Sequence, residues 1–226
     1  MSLKEECQAV VKQFMTDVPE DVMGSITDFI GRLVENGIAD KAINVGDKAP
    51  DFSLPNVHGK QIKLYDLLKD GPVVINFYRG GWCPFCSLEL KAYQDVLSDI
   101  KAEGANLVGI SPETPDNSLS TAEKFALEYE VLSDTGNRIS DAYGLVFELE
   151  PVIREIYTSF DIVLPDINGD DSWTLPIPAT YVINRDGTVF WAEVNANYTE
   201  RAEPADVLKA LREISSENDN AKTASV

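Results

Sequence analysis

Residues 73–93 constrain this chain more than any other stretch. Val73-Val74-Ile75-Asn76-Phe77-Tyr78 is a short apolar run rich in β-branched residues, the pattern of a buried strand. It breaks at Gly80-Gly81, and Leu88-Glu89-Leu90-Lys91-Ala92-Tyr93 resumes as a helix. At the joint stand two of the three cysteines, Cys83 and Cys86, spaced Cys-x-x-Cys. Three residues apart at a helix start, they share one face of the first turn. Free N–H groups and the positive end of the helix dipole favour a thiolate there. Such placement brings a cysteine pKa from about 8.5 into a range of roughly 3.5 to 7.5. A nucleophilic thiolate with a second thiol in reach is a redox pair.

Composition narrows the partners. Lys+Arg of 19 against Asp+Glu of 38 leaves a net charge of −19, which argues against nucleic acid or an anionic membrane as ligand. No run approaches the ~18 uninterrupted apolar residues of a membrane span. The opening residues Met1-Ser2-Leu3-Lys4-Glu5-Glu6-Cys7 are partly acidic and lack the apolar centre of an export signal, so a reducing cytoplasm is expected. A structural zinc site needs four ligands, and beyond the pair only the distant Cys7 and His58 remain. No metal is expected. Cys7 lies on an apolar helical stripe and reads as a core residue, and His58 beside Gly59 reads as an exposed turn residue.

Along the chain, residues 3–36 have the spacing of two helices, punctuated by Pro19 and closed by Gly37. Their apolar stripes need cover from the main domain or from another subunit, and a homodimer through this segment is one expectation. Residues 51–54 and 61–64 alternate as a hairpin. One helix over about 84–101, a buried strand at 105–110, a helix at 117–129 and a short strand at 131–132 complete a parallel βαβ pattern. A short helix starting at Pro151 leads into a polar loop over 166–173. Asp186-Gly187 joins two strands as a hairpin, and Pro204 opens a last amphipathic helix. Residues 216–226 have no large hydrophobe except Val226 and are expected to be disordered.

With βαβ first, a hairpin later and Cys-x-x-Cys ending the central strand, the chain resembles the thioredoxin fold. That is an α/β fold with a central mixed sheet flanked by helices, here behind an N-terminal helical extension. Trp82-Cys83-Pro84-Phe85-Cys86 after the strand and Ile177-Pro178-Ala179-Thr180 before a later one carry the likeness. It implies a cis-proline at Pro178 against the thiols; the residues alone also allow a strand-start proline, where a missing donor costs nothing. Val45-Gly46-Asp47-Lys48-Ala49-Pro50-Asp51-Phe52, then His58-Gly59-Lys60, Phe77-Tyr78, Glu89 and Val182-Ile183-Asn184-Arg185-Asp186-Gly187, resemble peroxiredoxins of the alkyl hydroperoxide reductase/thiol-specific antioxidant family. The resemblance runs from about 45 to 214. The chain then divides into an extension at 1–43, a peroxiredoxin-like domain at 44–215 and the tail.

Peroxiredoxins carry Pro-x-x-x-Thr-x-x-Cys. Laid on this chain, that motif puts the peroxidatic cysteine at Cys86, the threonine at Cys83 and the proline at Arg79, with the family's peroxide-activating arginine falling near Pro178. Arg79 either supplies part of that charge or is a strand-end residue paired on the surface. The resemblance implies a cofactor-free thiol peroxidase that takes a hydroperoxide and is reset by a thioredoxin- or glutathione-type reductant. Cys83 and Cys86 would be its catalytic dithiol, and Trp82, Arg79 and Pro178 would frame the substrate. A thiol–disulfide oxidoreductase acting on protein disulfides through Cys83 is the alternative, and a non-catalytic interaction module the third reading. Which sulfur attacks first stays open.

Overall fold

The computed structural model describes the backbone of residues 1–224. Helix α1 (Leu3–Asp17) starts at a capping box: the Ser2 hydroxyl accepts the Glu5 N–H, and the Glu5 carboxylate accepts the Ser2 N–H at 2.8 Å. The Glu203 carboxylate, from the far end of the sequence, accepts the next two N–H groups, Leu3 at 3.3 Å and Lys4 at 2.7 Å. Helix α2 (Glu20–Glu35) ends at Gly37, whose φ of +61° reverses the chain into a 3₁₀ turn at Ile38–Lys41.

The hairpin β1 (Ser53–Pro55) and β2 (Gln61–Lys63) precedes α3 (Leu64–Asp70). Then come β3 (Val73–Phe77), α4 (Pro84–Asp95), α5 (Leu97–Ala102), β4 (Asn106–Ser111), α6 (Pro115–Phe125) and β5 (Glu130–Ser133). Short elements follow: α7 (Arg138–Ala142), β6 (Val146–Glu148), α8 (Pro151–Ser159), α9 (Leu164–Asn168) and β7 (Thr174–Pro176). The hairpin β8 (Ala179–Ile183) and β9 (Val189–Val194) leads to α10 (Pro204–Ala224).

The main sheet runs β5-β4-β3-β8-β9, with β3 parallel to β4 and antiparallel to β8. Because strand side chains alternate, Val73, Ile75 and Phe77 join one core while Val74 joins a second with Val182, Leu107, Ile100 and Leu211. β3 is buried along its whole length, as a strand covered on both faces must be. Its C-terminal end therefore opens into protein, and that is where the cysteines stand.

Several expectations need correction. The helix over 84–101 is two helices, broken at Val96 with φ −105° and ψ 9°. No described peptide bond is cis, and Pro178 is a strand-start proline before β8. α9 takes the first part of the expected polar loop, and β6 and β7 pair in a register that period-2 patterning over three residues does not reveal. The last helix continues to Ala224, through most of the stretch expected to be disordered, because propagating a helix already nucleated costs less than starting one. Residues 225–226 lie outside the described residues.

The stripes from which a homodimer was expected are covered by the chain itself only in part, and Phe14 and Met15 near the end of α1 stay exposed. Leu3, Cys7, Phe29 and Leu33 are buried, and Phe29 packs on Phe147 with ring centroids 6.0 Å apart. Arg32 donates to both carboxylate oxygens of Glu150, at 2.9 and 2.7 Å.

Candidate active site

The chain leaves β3 through Tyr78 and Arg79, turns at Gly80-Gly81 and enters α4. Cys83 is the N-cap of that helix and Pro84 its first residue, where the missing N–H is no loss. Gly80 has φ +150°, and a Cβ there would overlap the Trp82 indole; one at Gly81 would overlap Thr121. Glu113, buried on the loop after β4, fixes the turn by accepting the Gly81 N–H at 3.1 Å. Its other oxygen faces the hydroxyls of Tyr78, Ser111 and Thr121 at 3.4–3.5 Å. Burial pushes its pKa up against those donors.

Both cysteines are buried and free, and two arginines divide them. The Arg79 guanidinium donates to Cys83 Sγ at 3.6 Å and to the Tyr157 hydroxyl. It lies 3.9 Å from the Tyr198 ring centroid and 5.0 Å from that of Trp82, inside an aromatic cage. Arg201, on the loop between β9 and α10, donates to Cys86 Sγ at 3.4 Å. Its Nε stands 3.0 Å from Glu89 Oε2 in a fully buried ion pair. The Arg79 N–H also donates to Cys86 Sγ, at 3.5 Å.

Charge balance decides which sulfur is the thiolate. Arg201 already has Glu89 as counter-ion, whereas no described carboxylate pairs with Arg79. A buried cation without a partner is costly, and an ionised Cys83 supplies the missing charge. Burial works against that thiolate, but a hydrogen bond from the Cys86 thiol and the charges of Arg79 and Arg201 outweigh it, holding Cys83 well below the ordinary thiol range. Cys86 goes the other way: burial, and its role as donor to Cys83, push it up. Glu89 is raised to about 7, because burial exceeds the pull of Arg201. Cys7 is pushed up to about 11 by burial, the thiol of a core position.

An apolar cavity of about 410 Å³ lies on Cys83. Its floor is Arg79, Trp82, Cys83 and Phe85, and its walls come from α8, the loop before Arg201, and both N-terminal helices. Cys86 does not line it. Pro178 does not line it and borders instead a crevice with Glu89 and Arg201.

Of the expected site residues, the fold therefore brings Arg79, Trp82, Cys83 and Cys86 together, and it buries Arg79 rather than leaving it on the surface. Pro178 stands apart from the cavity, and His58 is exposed in the β1–β2 turn. Sequence reasoning missed Arg201, Glu113, Tyr157 and Tyr198. The one signal for Arg201 was Glu89 on the inner face of a helix, a carboxylate that needed a buried cation. In space Arg201 stands beside Pro178, where the motif had placed an arginine.

Two cysteines spaced Cys-x-x-Cys at a helix N-terminus, at the end of the central strand of a mixed sheet flanked by helices, are the arrangement of a thioredoxin-like fold. The AhpC/TSA family model matches residues 45–192, and the chain belongs to that family. It is 33% identical over 156 residues to the chloroplastic peroxiredoxin Q of Populus jackii, covering 69% of this chain and 62% of that one. To the same protein of Gentiana triflora it is 32% identical over 147 residues, 65% and 57% of the two chains. The chain thus spans somewhat under two thirds of these plant relatives. Among solved structures, peroxidoxin BcpB from Mycobacterium tuberculosis superposes with a TM-score of 0.60 at 25% identity, over 76% of this chain and 98% of that one. A Plasmodium vivax 2-Cys peroxiredoxin shares the fold, with a TM-score of 0.60 at 20% identity over 78% and 99% of the two chains.

Proposed function

We propose that this chain is a thiol-dependent peroxidase in which Cys83 attacks the hydroperoxide and Cys86 resolves it. The observation that carries the assignment is the cavity: it ends on Cys83 and Arg79, and Cys86 lies behind them. The Cys83 thiolate attacks the outer oxygen of R–O–O–H, forming an S–O bond as the O–O bond breaks. The leaving alkoxide, stabilised by the Arg79 guanidinium, takes a proton from solvent and departs as the alcohol. Cys86 then attacks the Cys83 sulfenic acid; an S–S bond forms, and the hydroxyl leaves with the Cys86 proton as water. An external dithiol of the thioredoxin or glutathione type resets the pair by thiol–disulfide exchange.

We place this cycle in a reducing cytoplasm, since three cysteines in 226 residues do not make a disulfide framework. No helix among the described residues is long and apolar enough to cross a membrane. Protein disulfides are the poorer substrate, because Cys83 is 1% exposed beneath the N-terminal helices.

Consumption of hydroperoxide and of insulin disulfides by wild type, Cys83→Ser and Cys86→Ser tests the assignment. Turnover of peroxide should fall at least about a thousandfold in both variants. A single-turnover sulfenic acid, trapped with dimedone, should form in Cys86→Ser and not in Cys83→Ser. A dimedone adduct on Cys86 in Cys83→Ser would return the attacking role to the position the family motif gives it. Insulin reduction without peroxide turnover would make the protein a thiol–disulfide oxidoreductase.

A further inference from the structure

The family match begins at residue 45, yet much of the wall over Cys83 comes from residues before it. Val11, Phe14 and Met15 of α1 and Ile26 and Ile30 of α2 face the cavity. Phe14 meets Phe85, on the first turn of the active-site helix, edge-on with ring centroids 6.1 Å apart. We propose that the α1–α2 hairpin is a specificity element, which makes the space over Cys83 a receptor for an elongated apolar hydroperoxide in preference to hydrogen peroxide. This rests on the peroxidase assignment above and deepens it.

Size and chemistry support one occupant. Hydrogen peroxide is little larger than water, whose share of the liquid is about 30 Å³. The cavity, at about 410 Å³, is roughly tenfold larger and falls in the range of small-molecule sites. Its lining is mostly apolar, with Thr27, Asn197 and Thr199 the polar residues of the walls, so a long alkyl group has apolar cover and an oxygen function meets the Arg79 guanidinium at the floor. Arg79 is 1% exposed, and its Nε–H has no protein acceptor. An unpartnered buried donor beside the attacking sulfur suits the substrate oxygen that becomes the alkoxide. The bonds made and broken are those of the peroxidase cycle: ROOH and the dithiol give ROH, water and the disulfide.

Two measurements test this. The first compares kcat/KM for octyl hydroperoxide and hydrogen peroxide. Wild type should favour the octyl compound at least tenfold, and Ile26→Trp, which fills the cavity, should lower that ratio at least tenfold. Ile26 is half-buried, so Met15→Glu at the exposed mouth serves as a second variant and should lower the ratio in the same direction. The second is saturable binding of 1-octanol to Cys83→Ser, read by tryptophan fluorescence; it should weaken at least tenfold when Ile26→Trp is added. A ratio near one without octanol binding would overturn the specificity role and leave the peroxidase assignment intact. Octanol binding without turnover of either peroxide would overturn the peroxidase assignment and leave the receptor. A dimer in scattering that dissociates in Met15→Glu, with no octanol bound, would assign the mouth to a subunit contact and overturn the proposal.

Discussion

The two halves of the dithiol site are built from the same parts and tuned in opposite directions. Each has a buried arginine against a cysteine sulfur: Arg79 on Cys83 and Arg201 on Cys86. On one side the cation is caged by tyrosine and tryptophan and faces a cavity. On the other it is neutralised by Glu89 and faces the sheet. The carboxylate makes the difference. Where it is present, the arginine's charge is already met and the sulfur beside it stays a thiol. Where it is absent, the sulfur itself becomes the counter-ion.

Substitutions that remove one half at a time should separate these roles. The largest expected effect is on stability, from Arg201→Met. Above about pH 7, where Glu89 is ionised, it strands that carboxylate in the interior and should cost about 3–5 kcal/mol in denaturant unfolding. Adding Glu89→Leu should restore most of that loss, since no uncompensated charge then remains.

Glu89 also predicts a pH dependence. Its folded pKa, about 7, lies above the usual 4.5, so the native state binds the extra proton between those values. Stability associated with the neutral acid is complete below about pH 4.5 and is lost as pH rises through 7. The slope should amount to roughly 3 kcal/mol across the window and should flatten in Glu89→Gln.

On the other half, Arg79→Met should leave folding cooperative but raise the Cys83 pKa. Alkylation of Cys83 by iodoacetamide at pH 7 should slow by about ten- to a hundredfold, with its pH midpoint moving upward. An unchanged profile would mean that Arg79 does not hold the thiolate. Glu113→Gln is the smallest change expected. It weakens the acceptor for the Gly81 N–H and should cost about 1 kcal/mol while slowing peroxide turnover a few-fold.

The Arg79–Cys83 half was largely legible in the sequence, because strand, glycine turn and helix start are consecutive. Periodicity and the Gly-Gly pair place Cys83 and Cys86 without tertiary information. The Arg201–Cys86 half was not, because Arg201 is 115 residues from Cys86 and sits in a loop with no periodicity. Glu113 was hidden similarly: Ser111-Pro112-Glu113-Thr114-Pro115 reads as a rigid loop, and nothing local says that its carboxylate turns inward. The expected cis-proline is not seen: Pro178 stands just before β8, where a missing N–H costs no ladder bond. The helices of the extension were readable from their spacing, but which surface they cover depends on elements made much later in the chain.

That lateness has a consequence during synthesis. The N–H groups that open α1 are satisfied by Glu203, and its neighbour α2 rests on residues near 147–150. A chain emerging N-terminus first makes these two helices before any of the surfaces they need. Their apolar stripes wait until those surfaces are made, and this wall of the cavity is written well before the elements that close it.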